Sequence, residues 1–215
     1  MTHSTTALGN PAALQAEGIF AEAVSDGQAP EISREEFLAM EAEPGVKLEW
    51  VDGRLIKTDK TMNSNQMYIL QNLQDFFETT AAYRQKLGRL HSEFDSYLKS
   101  RSIRRPDLGY LTREQIYLAA DEKDPLIPAF AIEIISPNER YEEAEQKLRD
   151  YINAGIQVVW HIFPKLKTVK VFRPGEKTEE CAGDEAVCSA APVLPDFQMS
   201  IAQIFWRPKP GEAAR

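Results

Sequence analysis

The stretch Ala129-Phe130-Ala131-Ile132-Glu133-Ile134-Ile135, followed at once by Ser136-Pro137-Asn138-Glu139 and closed further on by Gly155-Ile156, decides the fold class. An apolar run of that length, broken by one residue, predicts a strand at the centre of a sheet rather than one wet on one face. Ser136 then reads as an N-cap, Pro137 as the first helical position and Glu139 as the third, so a helix is expected directly after the strand. Gly155 ends that helix as a C-terminal cap. Ile156 to Ile162 is the next strand, and a strand-helix-strand unit of this kind is expected to cross over right-handed. Glu133 is the exception inside the run: a carboxylate there loses its hydration and persists only if it is protonated, paired with a cation or bound to metal.

Working outward, Ser33 and Glu36 form a capping-box pattern that predicts a short helix over Arg34 to Met40. Asp52-Gly53, flanked by Leu48-Glu49-Trp50-Val51 and Arg54-Leu55-Ile56-Lys57, predicts a tight hairpin. From Ser64 to Tyr83 apolar residues recur at helical spacing, which predicts one long amphipathic helix. Strands are expected over Arg89 to Leu98 and Pro106 to Leu111, and a peripheral helix over Thr112 to Ala120. Beyond Ile162 come a strand over Thr168 to Arg173, a less regular stretch with Cys181 and Cys188, and a closing helix near Ile201 to Phe205. The fold class is therefore mixed α/β, a central mixed sheet flanked by helices. Residues 1–32 read as a flexible acidic tail, in which a short helix over Pro11 to Val24 is conceivable. Residues 33–207 read as one domain and 208–215 as a C-terminal tail.

The chain has 215 residues, 43% hydrophobic and 27% charged, and a formal net charge of -8. That mix excludes collagen-like, disordered and disulfide-scaffold classes, and the acidity argues against coating nucleic acid by bulk charge. No apolar run approaches a membrane span, no basic start precedes Arg34, and two cysteines are too few for a disulfide framework or a zinc site. A cytoplasmic protein without a membrane partner is expected.

Asp107, after Pro106 at the start of a strand, and Glu49, on the hairpin, are further candidate acids; alone, Asp107 is more often a turn or strand-end residue and Glu49 an exposed hairpin residue. Lys147 borders the helix face of Ala144, Leu148, Tyr151 and Ile152 and aims back over the Glu133 strand, or it snorkels. An acidic hairpin, then Pro-Asp, then a buried acidic strand, then a helical lysine is an order in which two strand carboxylates can hold a hard divalent cation. The run Lys99, Arg101, Arg104, Arg105 supplies local positive charge beside it. His91 and His161 are placed in strands away from these motifs, as satisfied or exposed side chains.

Glu49 four residues before Gly53, Pro106-Asp107, Glu133 with Ser136-Pro137, and Lys147 with Tyr151 and Gly155 make the chain resemble the Uma-two family of restriction-endonuclease-like proteins, over about Arg34 to Phe205. The resemblance implies the PD-(D/E)XK nuclease fold, with the lysine moved from the position of Ile135 to Lys147. It departs from the family's pattern at Asn65 or Gln66, where a histidine is common, at Glu143, at Val158-Val159 and at Phe163. What it implies is a magnesium-dependent endonuclease acting on DNA, with manganese as the substitute ion. Asp107 and Glu133 are then expected as metal ligands, Glu49 as a supporting ligand or acceptor from metal-bound water, and Lys147 as the group that orients water. Lys99, Arg101, Arg104, Arg105 and Tyr151 are expected to meet nucleic acid, Tyr151 by packing or by a phosphate bond. A homodimer is left open. The alternative is a nuclease-like domain that binds nucleic acid or protein without cutting.

Overall fold

The computed structural model describes residues 29–59, 64–120, 126–136 and 139–208. The acidic tail as far as residue 28, its conceivable helix and the C-terminal tail from 209 lie outside the described residues. In chain order the elements are α1 (Arg34–Leu38), β1 (Val46–Val51), β2 (Arg54–Asp59), α2 (Ser64–Phe77), α3 (Ala81–Arg84), β3 (Gly88–His91), β4 (Ser96–Lys99), β5 (Ser102–Arg104), β6 (Leu108–Thr112), α4 (Arg113–Ala120), β7 (Phe130–Ile134), α5 (Tyr141–Asn153), β8 (Val158–Phe163), β9 (Thr168–Phe172), β10 (Glu179–Ala182), β11 (Val187–Ala190), β12 (Leu194–Ser200) and α6 (Ile201–Ile204).

A six-stranded sheet in the order β10-β9-β8-β7-β6-β3 forms the centre, and β7 and β8 are its parallel pair, joined through α5. The expected strand-helix-strand unit is therefore present. A four-stranded antiparallel sheet, β2-β1-β5-β4, packs beside it, and β11 and β12 form a ribbon. The Asp52-Gly53 hairpin forms as the sequence requires: φ is +50° at Asp52 and +86° at Gly53, the left-handed pair a two-residue turn needs. Ser33 and Glu36 make the expected capping box on α1.

Alternation along the central strands separates two buried faces. Phe130, Ile132, Ile134, Val158, Trp160, Ile162, Val169 and Val171 face α2, α6 and the β11–β12 ribbon in one apolar cluster around Phe197. Ala131 and Val159 face the other way, packing with Leu148, Tyr151 and Ile156 around α5. A third cluster, Phe37, Leu48, Trp50, Leu55 and Ile103, holds α1 against the four-stranded sheet.

Four expectations are corrected. The long helix stops at Phe77, because the Thr80 hydroxyl donates to the Phe77 carbonyl at 2.7 Å and accepts from the Tyr83 amide, ending one helix and capping α3. The strand over Arg89 to Leu98 divides at a turn where Glu93 takes a φ of +53°; β3 joins the central sheet and β4 the second one. Helix α5 starts at Tyr141 rather than Pro137, since Ser136 and Glu139 close their own turn, the Glu139 amide donating to the Ser136 carbonyl at 3.1 Å. Pro137 and Asn138 lie outside the described residues. Residues 30–32, assigned to the tail by composition, hydrogen-bond to the hairpin through Leu55 and Gly53, and the Trp50 indole donates to the Ile32 carbonyl. Cys181 and Cys188 are free and buried, and burial pushes both thiols up. Among the described residues no helix is long and apolar enough to cross a membrane.

Candidate active site

Lys47 and Glu49 stand two residues apart on β1, so they share the face opposite Leu48 and Trp50. Both are buried, against the central sheet. Asp107 immediately precedes β6, whose register with β7 pairs Leu108 with Ile132 and Gly109 with Ala131. Asp107 itself stands at a bend outside that ladder, and its carboxylate lies on the Ile134 amide of β7, next to Glu133. Lys147 and Tyr151 lie one turn apart on α5, over Glu133.

The contacts form one buried network. Asp107 Oδ1 accepts from Lys47 Nζ at 3.1 Å, and Oδ2 from the Ile134 amide at 2.8 Å. Glu133 Oε2 accepts from Lys147 Nζ at 3.0 Å, and Oε1 from the Tyr151 hydroxyl at 2.5 Å. Glu49 Oε2 accepts from Arg104 Nη1 at 3.0 Å and Oε1 from the Arg105 amide at 2.8 Å, with Lys147 Nζ 3.9 Å from Oε1. Arg104 also grips Asp150 through Nε and Nη2, at 3.1 and 2.7 Å, and Lys99 reaches the same carboxylate at 3.2 Å. Four carboxylates thus meet four cations with the charge balanced, which is what makes their burial tolerable.

Electrostatics follow from the pairing. Burial alone would raise the Glu49 carboxyl, but Lys147, Arg104, Lys47 and the Arg105 amide outweigh it and hold the pKa at about 2. Burial alone would lower Lys47; Asp107, then Glu133 and Glu49, reverse this and keep it protonated. Lys147 is likewise held above its ordinary value, against burial, by Glu133 and Glu49. Tyr151 is pushed well up by burial and the two glutamates, so it stays a hydroxyl donor.

Lys147 lies against both Glu49 and Glu133, and Asp107 sits beside Glu133 on the Ile134 amide. Lys147 is not at a helix edge; it is buried between two glutamates. Among the described residues no three His, Cys, Asp or Glu side chains stand as a metal-ligating group, and Glu49 is turned to Arg104 and Arg105. Of the basic run, Arg101 is exposed and paired with Glu31, Arg105 pairs with Asp95, and Lys99 is partly exposed. Arg104 and Tyr151 are buried and spend their donors inside the network, so neither is placed to meet a phosphate from solvent. Lys47 and Asp150 were missed. The spacing of Lys47 from Glu49 was a usable signal, and so was Asp150 on the helix side of Lys147 and Tyr151.

Two readings are corrected here. His161, placed away from the motifs as a satisfied or exposed side chain, is the cross-strand neighbour of Glu133, is buried, and leaves Nε2 without a hydrogen-bond partner. His91, on β3, is half-buried and likewise leaves a buried Nε2 without a partner.

Residues 34–202 match the family profile Uma2, described as "Putative restriction endonuclease". No curated protein matches the chain. Among solved structures it is similar to the crystal structure of "a putative nuclease belonging to DUF820" from Anabaena variabilis ATCC 29413, with 20% sequence identity and a TM-score of 0.68 over 80% of this chain and 96% of that one. At that identity the likeness bears on the fold, and the fold is the mixed α/β nuclease-like one the sequence suggested. The profile runs from α1 into α6 and spans every residue of the buried acid-cation network, and on that match the chain belongs to the Uma2 family of restriction-endonuclease-like proteins.

Proposed function

We propose that the protein is a magnesium-dependent endonuclease that hydrolyses phosphodiester bonds in DNA. The observation that carries this reading is the Asp107 carboxylate held on the Ile134 amide beside Glu133, with Lys147 bonded to Glu133. Two hard carboxylates suit a divalent ion that keeps its remaining positions for water and phosphate. The Lys47 ammonium on Asp107 acts as a stand-in cation at the same place, which supports the fit. Bound there, magnesium or manganese would supply relief of charge on the phosphate and a more acidic water.

The chain's own residues do the rest. Lys147 offsets negative charge developing on the phosphate oxygens and orients the attacking water, and Glu49 and Glu133 fix where its ammonium sits. Tyr151 holds the second oxygen of Glu133 in place. Lys47, bonded to Asp107, would have to release that carboxylate for it to hold a divalent ion. Lys99, Arg101 and Arg105, on and after β4, are the cations left to meet the DNA backbone, while Arg104 braces Glu49 against α5.

The test is cleavage of plasmid and linear DNA by the full chain in magnesium, in manganese and in chelator, with Lys147→Met alongside. The reading expects cleavage with either ion, none in chelator, and at least a hundredfold loss in the variant, the scale of removing one electrostatic donor. Cleavage that persists in chelator removes the metal. Binding without cleavage under all conditions leaves the second reading, a nuclease-like binding module, which the complete internal pairing of the four carboxylates favours.

A further inference from the structure

The polar face of the central sheet does not end at the acid network. Strand register sets His161 beside Glu133 and Lys170 beside His161, so one polar row crosses β7, β8 and β9. Next to Glu133 the surface opens into a cavity of about 540 Å³ whose walls include Arg140, His161, Phe163, Lys165, Lys170 and Phe172. That volume suits a small-molecule or single-nucleotide ligand.

His161 is the informative wall residue. It is 3% exposed and lines the cavity, and its Nε2, like that of His91 on β3, has no partner among the described residues, a burial that calls for an explanation. An imidazole nitrogen without a partner offers one hydrogen bond to a ligand's edge. The Phe172 ring lies 5.0 Å from it edge-on, and the Lys170 ammonium stands 5.5 Å over the Phe163 ring. Three acids share the lining: Glu139 accepts from the Ser136 amide, Glu145 pairs with Arg149, and Glu180 is the register neighbour of Lys170 on β10. Flat apolar rings, one orphaned ring nitrogen and cations match the three parts of a nucleotide: base face, base edge and phosphate.

We propose that this cavity takes one unpaired nucleotide of the DNA strand being cut, its base against Phe163 and Phe172 and its edge bonded to His161 Nε2. The proposal rests on the nuclease reading and deepens it. A base within a duplex has both faces stacked and its edge paired, so the cavity selects single-stranded or locally opened DNA beside the cut.

The experiment uses the full chain in chelator, titrated in turn with a deoxynucleoside monophosphate, a deoxynucleoside and inorganic phosphate. Affinity is read by calorimetry, and the imidazole of His161 by its nitrogen chemical shifts. Cleavage of single-stranded and duplex DNA in magnesium is measured in parallel. The monophosphate should bind saturably and shift His161, the nucleoside more weakly, and phosphate least. His161→Leu, which removes an unpaired polar group and should fold well, should weaken the monophosphate about tenfold, a loss on the scale of one buried hydrogen bond. Lys170→Gln should weaken the monophosphate and spare the nucleoside. A single-stranded oligonucleotide should displace the monophosphate, and failure to do so overturns DNA as the source. Absence of saturable binding, or equal binding to wild type and His161→Leu, overturns the proposal. DNA cleavage without nucleotide binding sinks the cavity and spares the nuclease; nucleotide binding without cleavage of any DNA does the reverse.

Discussion

Phe130, Ile132 and Ile134 leave β7 on one side and join Trp160 and Phe197 in an apolar cluster, whereas Ala131 and Glu133 leave on the other and meet α5, Lys147 and Tyr151. Both sides are buried. On the first, stabilisation scales with the area removed from water, and any well-shaped hydrophobic side chain supplies it. On the second, every charge depends on a particular partner, so the loss of one strands another. The apolar face holds the sheet together. The polar face holds paired charges in place while contributing little to net stability.

Substitutions on the two faces should differ accordingly. The largest effect is expected from Trp160→Ala, a fully buried ring removed from between Phe130 and Phe197, at about 4 kcal/mol of stability by denaturant unfolding. Arg104→Met should follow at about 3 kcal/mol, since it leaves both Glu49 and Asp150 without their principal donor. Replacing Arg104, Glu49 and Asp150 together by apolar residues should recover most of that loss, which area alone would not predict.

A smaller effect is readable in acid. The folded His161 imidazole, facing Lys147 and Lys170, takes a proton only at about 3, against 6.5 for the free ring. Between those values the unfolded chain binds the extra proton, so this contribution is complete above pH 6.5 and is lost as pH falls towards 3. Wild type should therefore lose up to about 1.4 kcal/mol per pH unit more than His161→Leu between pH 6 and pH 4.5. Below about 4.5, Glu49, whose pKa is held at about 2, adds its own loss in both proteins. The smallest effect is expected from Arg105→Ala, at about 0.5 kcal/mol, because its side chain pairs with Asp95 near the surface while its amide, which holds Glu49, is untouched.

Several elements are legible from local pattern alone: the Asp52-Gly53 turn, the Ser33-Glu36 box, and the apolar run around Glu133 with a lysine-bearing helix behind it. What local pattern does not supply is the identity of distant partners. Lys47 meets Asp107 across 60 positions and Arg104 meets Asp150 across 46, separations over which no periodicity speaks. Arg104 consequently looked like one more member of a basic surface run, although the alternation of β5 turns it inward. The division between β3 and β4 was hidden for another reason, since the left-handed residue at the break is Glu93 rather than a glycine. His161 was misplaced because its neighbour Glu133 is set by parallel register, which a sequence does not display.

The most direct test of the polar face as a catalytic site is Asp107→Asn, measured for magnesium-dependent DNA cleavage and for DNA affinity in chelator, with folding checked by circular dichroism. Asparagine keeps the shape and an acceptor for the Ile134 amide while removing the anion. A nuclease site predicts that cleavage disappears while affinity is retained or rises, because repulsion between the site and the phosphate backbone is relieved. Cleavage at the wild-type rate by a folded Asp107→Asn protein would contradict it, and Asp107 would then be no more than a buried partner for Lys47.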